Sequence, residues 1–302
     1  MNKTRYVILI VFIIIILYMS FGIRRFISVN KGYKIIQIEN LQKSGNEDYL
    51  YMKYPLVVLN TYTTNNLLTE MDVSKICEIF GNKDGYYSML NVTDVCSHKA
   101  PKFDKISKIT DLLEGDTMWK CLLNHTFIKN NDLYNPIHDV IKMGCPKLSI
   151  NNRYSITVSS SGFTEPLQYS QSYKIMITSL MGTKVVRLFN PTYKNMLYMD
   201  HRFHPNYRMS KVNIWDDWDG LCKRYKKLKD TEYIDIILRR GNTIMIPNFW
   251  FFSTRNVDTN VTLYSKVDTL ITHMFQLPYH IEKYLHYMGL YKVNNCYCHK
   301  KC

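Results

Sequence analysis

Gly-Phe-Thr-Glu-Pro-Leu-Gln-Tyr-Ser (162–170), Met-Gly-Thr-Lys-Val-Val-Arg-Leu-Phe-Asn-Pro (181–191) and Arg-Gly-Asn-Thr-Ile-Met-Ile-Pro-Asn-Phe-Trp-Phe-Phe-Ser-Thr (240–254) carry the reading of this chain. Each is a short run of β-branched and aromatic residues closed by Gly, Pro or Asn, the punctuation of strands rather than helices. From Tyr154 onward the pattern repeats, with strand candidates at 154–159, 173–180, 184–189, 234–238, 243–247 and 260–267. Short strands with turn residues between them predict a sandwich or jelly roll. The 24 Tyr and 13 Phe agree, because aromatic side chains suit a pleated, half-buried surface.

Outward from this region the pattern becomes helical. Residues 67–80 carry Leu67, Leu68, Met71, Ile76 and Ile79 at helical spacing, and a second helix is expected at 132–143, stopped by Gly144 and Pro146. Tyr54-Pro-Leu-Val-Val-Leu-Asn60 reads as a buried strand, the stretch from there to about 115 otherwise as polar loop, and Tyr279–Tyr291 as a last helix ending near Gly289. Residues 6–23 hold no charge, and 18 helical residues cover about 27 Å, close to a bilayer's apolar thickness. The expected organisation is therefore a tail (1–5), a transmembrane signal-anchor (6–23), a stalk (24–50), a β domain with an N-terminal helical part (51–278) and a C-terminal helix with a Cys-rich tail (279–302). The fold class expected is mainly β with flanking helices (α+β), preceded by one transmembrane helix.

A net charge of +14 attracts anionic surfaces, but the one dense basic run, Lys223-Arg224-Tyr225-Lys226-Lys227 with Lys229, is short, so nucleic acid is not the expected partner. Eight cysteines and sequons at Asn91, Asn124 and Asn260 point to a non-cytosolic domain with disulfides, a single-pass protein whose bulk lies in a lumen, outside the cell or in a virion envelope. Charges flank the 6–23 segment on both sides and do not orient it. The terminal Cys296-Tyr-Cys298-His299-Lys-Lys-Cys302 is compact for a zinc knuckle, and disulfides are the preferred reading. The Ile, Asn, Lys and Tyr bias suggests AT-rich coding, as in some large DNA viruses.

The quoted motifs resemble the landmarks of the JmjC/cupin-like family of Fe(II)- and 2-oxoglutarate-dependent hydroxylases, in the branch similar to protein asparaginyl hydroxylases. Thr164-Glu-Pro-Leu-Gln-Tyr-Ser resembles the segment with the His-x-acid pair. Gly182–Pro191 resembles the strand whose lysine, in one branch, holds the distal carboxylate of 2-oxoglutarate. Gly241–Trp250 resembles the strand that precedes the second His. Pro55-Leu-Val-Val is similar to the opening strand, and His204-Pro205 with Ser210-Lys-Val-Asn213 to the connecting region. The resemblance implies a double-stranded β-helix holding iron by two His and one carboxylate.

Placed on that pattern, Gln168 stands for the first His, Ser170 for the acid and Phe252 for the second His, while Lys184 survives. The Ser170–Lys184 interval is one residue longer than the pattern, and the slipped pair, Tyr169 and Gln171, offers no better ligand. Without imidazole or carboxylate no iron is expected, so no cofactor is expected either, and Lys184 is read as a strand lysine or as a vestigial anion site. The expectation is a membrane-anchored, catalytically inactive domain that binds a protein partner or builds a structure. Two other classes stay open: an active or atypical oxygenase acting on protein, and a polyanion-binding protein. His201 with His204, His273 with His280, and Asp216-Asp217 with Asp219 read as loop or surface groups rather than metal sites. No Walker loop, His-Glu-x-x-His or Gly-x-Ser-x-Gly motif is present.

Overall fold

The computed structural model describes residues 3–28, 30, 32, 34–39, 48–61, 66–89, 102–115, 117–142, 144–146, 149–200 and 208–290. The chain opens with α1 (Lys3–Ile27), β1 (Ile36–Ile38), α2 (Asp48–Tyr51) and β2 (Leu56–Val58). A mixed section follows: α3 (Asn66–Thr69), α4 (Val73–Phe80), β3 (Asp84–Met89), β4 (Lys102–Lys105), α5 (Lys108–Leu113) and β5 (Trp119–Leu123). After α6 (His125–Asn130) and α7 (Tyr134–Lys142) come β6 (Ser149–Ser159), β7 (Gln168–Tyr169), β8 (Lys174–Met181) and β9 (Lys184–Phe189). The rest comprises β10 (Met199–Asp200), β11 (Arg208–Ser210), α8 (Trp218–Arg224), β12 (Tyr233–Leu238), β13 (Thr243–Pro247), β14 (Phe251–Asn256), β15 (Asn260–Thr269), α9 (Leu270–Phe275) and α10 (Leu277–Tyr287).

Two sheets form, a nine-stranded one ordered β1-β2-β13-β8-β15-β6-β5-β3-β4 and a six-stranded one ordered β10-β11-β7-β14-β9-β12. Side chains alternate along each strand, so each sheet presents two faces. Val57, Ile175, Ile177, Ile244 and Ile246 of the large sheet meet Val186, Leu188, Leu238 and Phe252 of the small one, with Trp250 at their edge. This sandwich interior is what a jelly roll buries. The opposite face of the large sheet, with Met176, Leu263 and Val267, is covered by Leu68, Met71, Ile76 and Ile137 of the helical section. The outer face of the small sheet, with Tyr169, Phe189 and Phe251, is covered by Leu197, Val212, Ile214, Leu221 and Leu228. Gly182 makes the turn from β8 into β9 at φ +77°, where an added Cβ would lie 2.5 Å from the Thr259 carbonyl oxygen.

The 67–80 helix is two pieces because Asp72 caps α4, its carboxylate accepting from the Lys75 amide at 2.7 Å. The expected polar loop up to 115 contains β3, β4 and α5, and the last helix starts earlier than 279, as α9 and α10. The N-terminal segment is helical, 25 residues long, but the expected transmembrane span is overturned: among the described residues no helix is long and apolar enough to cross a membrane. Its final turn is part of the domain. Phe26 is buried, its ring 4.9 Å from Phe275 and 5.3 Å from Phe249, and its carbonyl accepts from Asn248 Nδ2 at 2.8 Å. Gly22 lets the Ile271 side chain of α9 lie against the helix, and Arg24 and Arg25 interrupt the apolar run just beyond. The single-pass localisation built on that span goes with it.

The expected disulfides are corrected as well. Among the described residues Cys77, Cys121, Cys145 and Cys222 are free thiols. Cys121 and Cys145 are packed in the apolar layer beneath the helices, where burial pushes their thiols up to about 12 and about 11. Cys96, Cys296, Cys298, His299 and Cys302 lie outside the described residues, as do Asn91, His201 and His204.

Candidate functional site

Strand pairing decides which motif residues face inward. Gln168 of β7 is the direct cross-strand partner of Phe252 on β14, and Tyr169 is that of Phe251. Partners in register project to the same face. Phe252 packs in the sandwich interior, whereas Tyr169 and Phe251 pack on the outer face with ring centroids 5.0 Å apart. Gln168 therefore belongs to the interior and Tyr169 does not. Ser170, just past β7, turns its Oγ back to accept from the Ser172 amide at 3.0 Å.

Lys184 lies elsewhere on the same sheet. Phe252 pairs with Leu188 of β9, and Lys184 pairs with Asn256 at the other end of β14. Lys184 and Leu188 are four strand positions apart, about 13 Å along the sheet. The structure thus brings Gln168 and Phe252 together with Ser170 nearby, and sets Lys184 in a second, charged cluster.

That cluster was not visible in the motifs. Glu165 precedes β7, its amide donating to the Thr254 carbonyl at 2.8 Å and its carbonyl accepting from the Ser253 hydroxyl. Its carboxylate accepts from Lys120 of β5 at Oε1 and from the Tyr264 hydroxyl of β15 at Oε2, the latter at 2.8 Å. Lys184 Nζ donates to the Tyr264 hydroxyl at 3.4 Å and sits 5.4 Å from the centre of that ring. Glu165 is 6% exposed and Lys184 2%. Burial pushes the Glu165 carboxyl up, but Lys120, Lys184 and the bond from Tyr264 outweigh it and hold it at about 2. Burial pulls Lys184 down to about 8, against the attraction of Glu165. Burial, with Glu165 adding to it, drives the Tyr264 phenol well up. At neutral pH the cluster is an ionised Glu165 between two ammonium groups, with a neutral phenol.

A second buried lysine, Lys174 of β8, faces away from this interior and donates to the Tyr49 carbonyl at 3.3 Å. Burial and then Lys53 pull it down to about 7. Asn260 is fully buried, its Nδ2 donating to Ser179 Oγ at 3.2 Å. Asn124 caps α6, accepting from the Phe127 amide at 2.9 Å. Asp217 caps α8, and Asp216 accepts from Asn213 Nδ2 at 2.6 Å. Lys223 and Arg224 occupy the last turn of α8, where cations favour the helix dipole. The His273 and His280 rings lie 5.3 Å apart on α9 and α10. Among the described residues no three His, Cys, Asp or Glu side chains are grouped so as to hold a metal ion.

Comparison with known proteins agrees with this architecture. Residues 162–268 match the family model of the cupin-like domain. A stretch of 129 residues is 27% identical to JmjC domain-containing protein D of Dictyostelium discoideum, covering 40% of this chain and 28% of that protein's length. The chain thus spans under a third of the relative it matches. The matched segment runs from the turn before β7 to the end of β15, taking in both layers of the sandwich and the positions of Gln168, Lys184 and Phe252. Through residues 162–268 the chain is thus similar to the cupin-like domain family and to a JmjC domain-containing protein.

Proposed function

We propose that this chain is a JmjC/cupin-like domain that has given up metal-dependent oxygenation and works as a binding or structural module for a protein partner. The family is usually oxygenase-like and typically uses Fe(II) and 2-oxoglutarate. The observation that carries the proposal is that Gln168 and Phe252 lie side by side on the sheet; we read them, from the resemblance, as two of the three ligand positions, with Ser170 as the third. A facial triad needs two imidazoles and a carboxylate. A phenyl ring offers no lone pair, and the amide and hydroxyl are neutral and weak. These residues do not fit ferrous iron.

The surroundings support the same reading. Phe252 is 3% exposed among aliphatic side chains, so the position serves as core. Lys184, the one retained landmark, has its charge answered by Glu165 of the same chain. A structural role in a virus particle accords with the Ile, Asn, Lys and Tyr bias of the sequence and is part of the proposal. The test is anaerobic reconstitution of the purified chain with Fe(II) or Mn(II), followed by metal analysis and an assay of succinate release from 2-oxoglutarate. Far less than one metal per chain and no succinate above background are expected. Stoichiometric metal with succinate release would overturn the reading.

A further inference from the structure

The sandwich interior is apolar at one end and charged at the other. At the charged end two lysines and a phenol surround a single carboxylate, and both of its oxygens are engaged. Lys184 has the Tyr264 hydroxyl as its hydrogen-bond acceptor, and Glu165 offsets its charge through space. A buried ammonium group needs an anion or must lose its proton, because desolvation alone costs several kcal/mol. The anion can come from solvent or from the chain.

We propose that Lys120, Lys184 and Tyr264 form an anion pocket whose resident ligand is the Glu165 side chain, a tethered carboxylate that closes the pocket to free carboxylates. The Glu165 amide donates to the Thr254 carbonyl and the Ser253 hydroxyl donates to the Glu165 carbonyl, and these two bonds hold the tether in place. The chemistry specifies a carboxylate rather than a spherical anion, since one oxygen meets Lys120 and the other meets Tyr264. Shortening the tether defines the matching free ligand. Glu165→Ala removes four heavy atoms, the two carboxylate oxygens, their carbon and one methylene, which together are the framework of acetate.

The experiment follows from that identity. The Tm of Glu165→Ala and of the parent chain is measured at pH 7 in sodium acetate and in sodium chloride at equal ionic strength. The variant is expected to melt lower in chloride and to regain Tm saturably with acetate, as ligand linkage requires. The parent should not respond, and Glu165→Ala/Lys184→Met should lose the response. Equal acetate shifts in parent and Glu165→Ala overturn the proposal. If Glu165→Ala does not fold, Glu165→Gln is compared with Glu165→Gln/Lys184→Met. The double variant should melt higher than the single one, because it removes the unanswered cation; simple addition of two losses overturns the proposal. These readouts contain no iron and no turnover, so their failure is distinct from failure of the oxygenase test.

Discussion

Phe252→Ala separates a filled core from a vacated ligand position. Phe252 faces Val186, Leu188 and Ile246 in the sandwich interior and is 3% exposed. Truncation to Ala leaves roughly 100 Å³, which at about 24 cal/mol per Å³ costs about 2.4 kcal/mol before the lost transfer free energy is added. The whole change should fall in the range of about 3–5 kcal/mol seen for buried Phe→Ala. For a domain of this size 1 kcal/mol moves Tm by about 2–4 °C, so a drop of roughly 6–20 °C is expected. Urea unfolding followed by circular dichroism gives the free energy directly, with the slope m checked for constancy. Had position 252 lined an open, hydrated pocket, the ring would already be solvated on one side and its loss would cost under about 1 kcal/mol. A measured loss that small would refute the claim that the ring fills the interior, and with it the support that core packing lends to a non-catalytic domain.

Two further outcomes follow from the titrating groups. The folded pKa of Lys184, about 8, lies below the ordinary lysine value. Between about pH 8 and 10.5 the unfolded chain binds a proton that the folded chain lacks, so this group makes stability rise with pH there. Relative to Lys184→Met the parent should gain stability across that window in pH-dependent urea unfolding; a flat or falling difference would contradict the burial argument. The four described thiols, Cys77, Cys121, Cys145 and Cys222, should alkylate in urea without prior reduction, and Cys121 and Cys145 should resist alkylation in the folded state. Mass spectrometry showing a disulfide between any two of the four would refute this.

Several strands legible in the sequence are those whose apolar residues are buried in the sandwich interior. The candidate at 184–189 became β9 and that at 243–247 became β13, because Val186 and Leu188 or Ile244 and Ile246 needed burial however the sheet was ordered. β14, Phe251–Asn256, escaped notice because its inward residues turn from Phe252 to Thr254 and Asn256, so no apolar alternation survives. β3 and β4 escaped because Lys102–Lys105 is an edge strand with three exposed residues in four. The N-terminal helix was plain from its apolar run, but the docking of Phe26 against Phe249 and Phe275 depends on residues more than two hundred positions away. The resemblance implies that Gln168 and Phe252 are counterparts, yet only the β7–β14 register sets them side by side. Glu165 was in the quoted stretch all along. Its partners Lys120 and Tyr264 come from strands on either side of β6, and nothing local to any of the three marks the meeting.

The two ends of the interior are linked by a charge argument. If a dicarboxylate had once occupied this sandwich, it would have carried the counter-charge of the β9 lysine, as the resemblance implies. On the proposed reading, loss of the metal ligands at the Phe252 end would remove any reason to bind that molecule and would leave a buried ammonium unanswered at the Lys184 end. Filling the first end with a phenyl ring is favourable by burial alone. The second end cannot be filled that way while the lysine stays, because an isolated buried cation costs more than the surrounding contacts return. A carboxylate in the chain resolves this, and Glu165 sits three residues before Gln168 in the same segment. The order of dependence is then fixed: Lys184 can be replaced by an apolar residue with Glu165 still held by Lys120 and Tyr264, whereas loss of Glu165 strands two cations at once.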